Sequence, residues 1–437
     1  MDALVGLLGV FALLLIAAAM SENRGRLPWR LIGTGILFQI VLAWLLIRQP
    51  AVVQVFAWIA RIVDGVILKA DKGIEFVFGS QLVDPSGPWG FIFAVKVLPV
   101  IIFFASLMAV LYHIGVMPRL VAALAWLLRR TLGVSGTEAL AMASNVFVGQ
   151  TEAPLCVRPY MDRMTRAQLA TLMVGGFATI AGSVLAAYVG ILAGDDAELR
   201  ATYIRHLLAA SVMSAPAAFI IARIVFPETD KPIDEGLHAA PEDSRATNML
   251  DAAAEGASQG LRLALNVGAM LIAFVALLWL VNWPLQWLEN APIARGYLRQ
   301  TGLVGPNGQD GFDLQTILGA LFMPLAWLMG VPWHESGTFG TLLGEKLVLT
   351  EFVAYLHLGE LIQGSAGGQS LSPRSAQIAA FALCGFANFA SVAIQTGGLT
   401  ELAPGRRKDF VTMGMRAMFG GALASWMTAA VASMFIA

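Results

Sequence analysis

The sequence is poor in charge and in cysteine. Only 13% of its 437 residues are Asp, Glu, Lys or Arg, about half the share found in an average soluble domain. The net charge is −1 and the basic residues occur in small clusters, which argues against a nucleic-acid partner held by counterion release. Cys156 and Cys384 lie far apart in apolar surroundings, so neither a disulfide framework nor a cysteine metal site is expected.

Two other absences narrow the function class. The sequence has neither a P-loop nor a zinc-type His-Glu-x-x-His motif, so ATP-driven pumping and zinc hydrolysis have no support. What it has instead is apolar sequence, with 57% hydrophobic residues, and a bilayer is the expected solvent. The first apolar run, Ala3 to Met20, carries its charges after the run rather than before it, which predicts a retained membrane helix rather than a signal peptide.

A membrane helix needs about 20 mostly apolar residues, and we predict eight such spans. Lys and Arg cluster in four of the short connecting loops, which are therefore expected in the cytoplasm, with both termini outside. The predicted spans are 3–20, 31–47, 90–113, 167–193, 203–226, 262–288, 374–398 and 410–436.

Three regions do not match simple spans. Residues 51–79 and 118–130 alternate apolar clusters with charges, which predicts helices lying at the membrane interface. Residues 227–260 are polar and are predicted to form a cytoplasmic linker between comparable halves. We therefore divide the chain into N-terminal spans with interfacial helices (1–135), a first repeat core (136–226), the linker (227–260), span six with an interfacial helix (261–330), a second repeat core (331–400) and the last span (401–437).

Each half contains an apolar stretch with a middle too polar and too rich in glycine for a lipid-facing helix. These stretches are 136–160 and about 333–362. Irregular backbone at membrane depth is tolerated only under protein or beside a water-filled cavity, so both are predicted to be re-entrant hairpins. By the charge argument they enter from opposite faces, which is typical of inverted-repeat transporters that bind their substrate at the midplane. The predicted fold class is thus an all-α membrane protein with eight transmembrane helices, two oppositely oriented re-entrant hairpins and interfacial helices.

Glu152 lies near the tip of the first predicted hairpin. An isolated carboxylate at membrane depth costs at least about 2.5 kcal/mol, so it is expected to meet a cavity, a cation or a polar ligand. Gly149 permits a tight break and Pro154 prevents regular helix hydrogen bonding, which would display Gln150, Thr151 and Glu152 together. Such a set can match donor and acceptor edges of a heterocyclic base. The alternative is a structural carboxylate held by Arg158 or by backbone amides.

The second half of the chain contains two further groups of candidate site residues. Glu351 follows a Thr among apolar residues, and it either meets a ligand or forms an ion pair with Lys346, five residues earlier. In the seventh span, Asn388 and Ser391 are predicted to share a helix face one turn apart, with Phe386 beside them. An amide in an apolar span calls for a partner, whereas Phe386 fits ordinary packing as well as ligand contact.

Three segments resemble the signature segments of the concentrative nucleoside transporters. They are "GQTEAPLCVRPY" (149–160), "ESGTFGTLLGEKLVLTEFVAYLHLG" (335–359) and "SPRSAQIAAFALCGFANFASVAIQTGG" (372–398), and the order of spans resembles that family over 1–437. The resemblance implies a homotrimer whose transport domain moves like an elevator. This sequence departs from the commoner pattern at Thr350, where many members have Asn, and the change bears on sugar selectivity.

The resemblance also implies roles for individual residues. Gly149, Gln150, Thr151 and Glu152 would meet the nucleobase, with Val184 packed against it. Glu351, Asn388 and Ser391 would hold the ribose, and Phe386 would line the pocket. The matching positions for a Na⁺ site are Asn145, Val148, Thr179 and Ile180, which supply hard oxygen ligands suited to that ion.

The resulting hypothesis is import of nucleosides such as uridine, cytidine or adenosine across a bacterial inner membrane, driven by Na⁺ in preference to H⁺ and without a further cofactor. Two alternatives are a membrane-embedded enzyme using Glu152 and Glu351 as acid and base, and an ion-only antiporter using the same pair.

Overall fold

The computed structural model describes residues 2–83, 89, 92–194, 196–234, 246–288, 313–364 and 370–436. Within these ranges the chain is helix and connecting loop with no β-strand, which confirms the all-α prediction. Parts of the linker and of the stretch after span six, 235–245 and 289–312, lie outside the described residues.

The first part of the chain supplies seven α-helices. Gly115 and Gly133, at the two ends of the seventh, have φ of +79° and +67°, in the left-handed region that favours glycine. The helices are α1 (Asp2–Ala19), α2 (Trp29–Ala43, continued by a π turn, Trp44–Arg48), α3 (Pro50–Phe78), the short α4 (Ser80–Val83) and α5 (Phe93–Lys96), α6 (Leu98–His113) and α7 (Val116–Leu132).

The rest of the chain contains the two broken regions and the long helices. The elements are α8 (Gly136–Phe147), a 3₁₀ helix (Ala153–Tyr160), α9 (Arg166–Ala178), α10 (Gly182–Ala193), α11 (Ala197–Val225), α12 (Met249–Leu288), α13 (Leu314–Leu328), α14 (Trp333–Val348), α15 (Glu351–Gln363), α16 (Pro373–Leu383), α17 (Phe389–Leu402) and α18 (Arg407–Ser433).

Six helical segments in the described residues are long and apolar enough to cross a membrane. They include α3, which we predicted to lie at the interface; its orientation relative to a bilayer stays a prediction. α9 with α10, and α11, are almost wholly buried in protein, whereas α2, α3, α6 and α12 leave most of their surface outside. The core therefore lies around α9 to α11, and the outer helices present apolar side chains outward, as a lipid solvent requires.

Three predicted boundaries differ from the structure. Residues 249–260, assigned to the linker, form the first turns of α12, because their four alanines favour helix despite the polar residues between them. The seventh span is not one helix, since residues 384–388 separate α16 from α17. The fourth is broken in the same way between Ala178 and Gly182.

Candidate functional site

The tip of the first hairpin is a tight turn closed by its own carboxylate. Glu152 Oε2 accepts a hydrogen bond of 2.8 Å from the amide of Gly149. A Cβ on Gly149 would lie 3.0 Å from that same oxygen, so the turn favours glycine. Gln150 is buried, Glu152 is half-buried and Thr151 is exposed. The turn thus leaves the Thr151 hydroxyl exposed and the Glu152 carboxylate half-buried, whereas Gln150, predicted to be displayed with them, is buried.

The structural alternative for Glu152 is half right. A backbone amide does hold the carboxylate, whereas Arg158 is exposed. Glu152 also lines a cavity of about 200 Å³, together with Val148, Ser183 and residues of α6 and α12. A carboxylate that faces open space beside a hairpin tip can meet a ligand.

The break between α9 and α10 lies beside this tip. Thr179 has extended backbone dihedrals, and the carbonyls at such a helix end are outside regular helix hydrogen bonding. The side chain of Asn145 is 1% exposed; its Nδ2 donates to the carbonyl of Leu172 at 3.3 Å. Its Oδ1 is buried with no hydrogen-bond partner among the described residues. A buried, unpartnered amide oxygen beside two broken helices fits a hard cation such as Na⁺.

The other residues predicted to bind the ion or the base lie at the end of α8, in the break between α9 and α10, and in the first turn of α10. Thr179 is buried, and its hydroxyl donates to the Gly175 carbonyl at 2.9 Å, which leaves lone pairs on its oxygen. Ile180 is buried in the break, and Val148 follows the end of α8 with extended dihedrals. Val184 is buried in the first turn of α10.

The tip of the second hairpin places Glu351 as the first residue of α15, where it is 4% exposed. Its carboxylate accepts hydrogen bonds from Asn388 Nδ2 at 2.7 Å and from the Tyr188 hydroxyl at 3.1 Å. The neighbouring Thr350 side chain accepts from the Val353 amide at 3.4 Å and caps the helix. Thr is a preferred N-cap residue, so its hydroxyl serves its own helix here.

The alternative of an ion pair between Glu351 and Lys346 is wrong. The Lys346 ammonium is fully buried and donates to the carbonyls of Ala382 and Cys384, at 2.8 and 3.0 Å, and to Ser425 Oγ at 2.7 Å. These carbonyls belong to the C-terminal end of α16, where a cation is favourable. Lys346 therefore stabilises the break at 384–388 through these hydrogen bonds and makes no direct ion pair with Glu351.

That break changes the geometry predicted for the third cluster. Asn388 is the N-cap of α17 rather than a residue inside a helix, and its Oδ1 accepts from the Ser391 amide at 2.8 Å. One amide thus caps a helix and binds Glu351, which explains why the chain places Asn there. Ser391 is buried one turn on, and Phe386 lies half-buried in the break.

The two breaks lie against each other. Gly385 has a φ of +110°, and a Cβ there would lie 2.5 Å from the carbonyl of Phe177. Both the left-handed backbone and this close approach call for glycine. The structure thus joins the first tip, the break after Phe177, and the second tip into one region. Glu152 and Glu351 are not hydrogen-bonded to each other there.

Sequence reasoning missed two residues of this region. Tyr188 is fully buried, and its ring stacks on Tyr355 with centroids 4.3 Å apart. Gln395 is buried one turn beyond Ser391. A tyrosine hydroxyl and an amide inside apolar spans each demand a partner, and that signal was present in the sequence.

Comparisons with known proteins agree on one family. Residues 8–81 and 206–433 match the family models described as the N-terminus and the C-terminus of Na⁺ dependent nucleoside transporters, and residues 94–194 match one described as nucleoside recognition. An uncharacterized transporter of Haemophilus influenzae is 43% identical, with the match covering 100% of this chain and 98% of the relative. The mouse sodium/nucleoside cotransporter 1 is 37% identical over 99% of this chain and 63% of its own length.

A solved structure agrees in fold as well. The structure of CNTnw in an inward-facing, substrate-bound state has a TM-score of 0.86 and 40% sequence identity, covering 100% of this chain and 98% of that one. These relatives are transporters, and the comparisons point to Na⁺ as a coupling ion.

Proposed function

We propose, from the premise that this chain belongs to the family of Na⁺-dependent nucleoside transporters, that it imports nucleosides by binding them between its two hairpin tips. The chain is a multi-pass membrane protein and not an enzyme. The observation that carries the proposal is the buried set at the second tip, where the Glu351 carboxylate is bonded to Asn388 and Tyr188. A carboxylate oriented by an amide and a phenol suits the hydroxyls of a sugar.

The proposal assigns opposite ends of the ligand to the two tips. Gln150, Thr151 and Glu152 take the base, with Gly149 forming the turn and Val184 packing against the ring. Glu351, Asn388 and Ser391 take the ribose, with Phe386 beside it. Two observations support this division. Glu152 at the first tip is half-buried and bonded to the Gly149 amide, whereas Glu351 at the second tip is buried and bonded to Asn388.

The proposed coupling ion is Na⁺, held by Asn145, Val148, Thr179 and Ile180. The unpartnered Oδ1 of Asn145 supports this assignment. Because one cation entering the cell gains about 2.3 kcal/mol per 100 mV, a single Na⁺ can sustain more than tenfold accumulation. The proposed ion site and base site meet at Gly149, with Val148 assigned to the ion and Gln150 to the base. Each ligand is therefore expected to tighten binding of the other.

Assembly and location complete the proposal. We assign the protein to a bacterial inner membrane, as a homotrimer in which the hairpins and broken helices move together against the outer helices. The bacterial relatives and the apolar outer surface of α2, α3 and α12 support this assignment.

Uptake and counterflow of labelled uridine, cytidine and adenosine in proteoliposomes test the function. We expect uptake with an inward Na⁺ gradient and little uptake in choline. No uptake of any nucleoside with either a Na⁺ or an H⁺ gradient would contradict the proposal. Cation exchange without nucleoside would favour an ion-only antiporter.

Substitution Asn145→Ala tests the ion site. Because it removes the unpartnered amide oxygen, we expect half-maximal uptake to require about tenfold more Na⁺, with a nucleoside KM near normal once Na⁺ saturates. Thr171→Val is the matched control, since the Thr171 hydroxyl donates to the Ala167 carbonyl of its own helix at 2.9 Å. An unchanged Na⁺ response in Asn145→Ala would show that the ion binds elsewhere.

A further inference from the structure

The buried face of α17 extends from the sugar side of the site toward the base side. Its buried residues are Ser391, Gln395 and Leu399, so Gln395 lies one turn beyond Ser391 on the same face. It is 2% exposed. A buried Gln amide has two donor hydrogens and an acceptor oxygen that each need a hydrogen-bond partner. An atom without a partner in the protein is available to a ligand.

The orientation of the Gln395 amide is fixed by its neighbour. Its Nε2 donates to the carbonyl of Met173 in α9 at 3.1 Å. A carbonyl only accepts, so reversing the amide would set two oxygens against each other. The Oε1 of Gln395 is consequently the free atom, and it is buried without a hydrogen-bond partner among the described residues.

Gln395 meets the first hairpin tip across Gly176. A Cβ on Gly176 would lie 2.5 Å from Gln395 Nε2 and 2.9 Å from the Cβ of Gln150. Gln150 also has a buried Oε1 with no partner in the described part of the chain. The side chains of Gln395 and Gln150 thus lie on either side of Gly176, each with an amide oxygen that lacks a donor among the described residues, and Glu152 follows two residues later in the turn.

We propose that Gln395 is a specificity-determining residue of the base site, and that its oxygen favours nucleosides whose base carries an exocyclic amino group. The proposal rests on the proposed function, because it assumes a nucleoside base at the first tip. An amino group brings two N–H donors to a site that otherwise leaves its acceptors unpaired, and a base lacking that group leaves them unpaired on binding. Adenosine and cytidine belong to the favoured class.

Pairs of nucleosides that differ only in the amino group test this directly. We suggest competition against labelled adenosine or cytidine uptake by proteoliposomes, comparing adenosine with purine riboside and cytidine with its 4-deamino analogue. For the unsubstituted protein we expect the amino member to bind about tenfold more tightly, the effect of one hydrogen bond near 1.4 kcal/mol. Equal affinity within each pair would overturn the proposal without any variant being made.

Substitution Gln395→Met keeps the length of the side chain and removes its amide. We expect the ratio within each pair to fall to near one while the deamino member keeps its affinity within about threefold. Thr396→Val is the matched control, since the Thr396 hydroxyl bonds to the Val392 carbonyl of its own helix at 2.7 Å. A structural role for Gln395 predicts an equal loss for both members, and either that result or an unchanged ratio would overturn the inference.

The outcome separates this inference from the function itself. If none of the four nucleosides competes or is taken up, the transport proposal fails. If all four compete with equal affinity, transport stands and the role of Gln395 is refuted.

Discussion

Removing the hydroxyl of Tyr188 tests whether the carboxylate at the second tip must be held in place. In Tyr188→Phe the ring is retained, so its stack on Tyr355 at 4.3 Å and its edge contact with Phe352 at 4.8 Å persist. The bond of 3.1 Å to Glu351 is lost, which leaves Asn388 as the remaining side-chain donor to that carboxylate. A single buried hydrogen bond of this kind contributes about 1 to 3 kcal/mol.

We expect Tyr188→Phe to raise the KM for uridine about tenfold, since each 1.4 kcal/mol is a factor of ten. A dideoxynucleoside that lacks the ribose hydroxyls should lose less, because it does not use the oriented carboxylate. The assay is initial uptake in proteoliposomes at saturating Na⁺.

The stacked partner offers a matched control. Tyr355→Phe removes a hydroxyl of similar burial, but that hydroxyl donates to the Ala380 carbonyl at 2.9 Å and not to Glu351. We expect it to lower thermal stability while leaving the KM for uridine within about twofold. Equal losses of affinity in the two variants, or an unchanged KM in Tyr188→Phe, would refute the positioning role.

Two further predictions concern the breaks that bring the tips together. Lys346→Met should destabilise the protein by about 3 kcal/mol, because it removes two buried hydrogen bonds to the end of α16 and one to Ser425 in α18. The melting temperature in detergent should fall clearly, whereas the exposed Lys72→Met should leave it nearly unchanged. Gly385→Ala should abolish the folded protein in size-exclusion chromatography, because a Cβ would contact the Phe177 carbonyl in a strained left-handed backbone. Gly190→Ala is the control, because a Cβ at Gly190 would meet open space. Normal elution of Gly385→Ala would contradict the packing described.

Much of the fold could be predicted from the sequence because lipid imposes a simple rule. An apolar run long enough to cross a bilayer must be helical to satisfy its backbone. The predicted run at 31–47 lies within the helical segment Trp29–Arg48, and the run at 203–226 extends one residue past the helix Ala197–Val225. What composition does not reveal is where a buried helix breaks. The breaks near Thr179 and Asn388 lie inside apolar sequence, and they persist because distant groups such as Lys346 bind the freed carbonyls.

The polar residues of the candidate site could be identified from the sequence, but not which of them bond to each other. Polar residues in apolar surroundings singled out Glu351 and Asn388 separately, and the structure joins them by a hydrogen bond. The nearest cation along the chain, Lys346, was nevertheless the wrong partner. Sequence distance favours the residue five positions away, whereas folding brings Tyr188 to the carboxylate from another helix. Pairings across helices depend on packing that no local pattern contains.

The two carboxylates differ in how far their hydrogen-bonding capacity is already used, and this difference bears on how a ligand would enter. An ionised carboxylate offers about four lone-pair sites. Glu351 is buried with two side-chain donors on separate oxygens, so sugar hydroxyls can add to the set without displacing either. Glu152 is bonded by the Gly149 amide and faces the cavity between α6, α12 and the first hairpin. Glu152 is therefore the carboxylate that faces open space, whereas Glu351 is covered. Under the proposed function, a nucleoside would enter or leave past Glu152. The first hairpin also carries Asn145, whose Oδ1 has no hydrogen-bond partner among the described residues, so its order can depend on the ion and the nucleoside together.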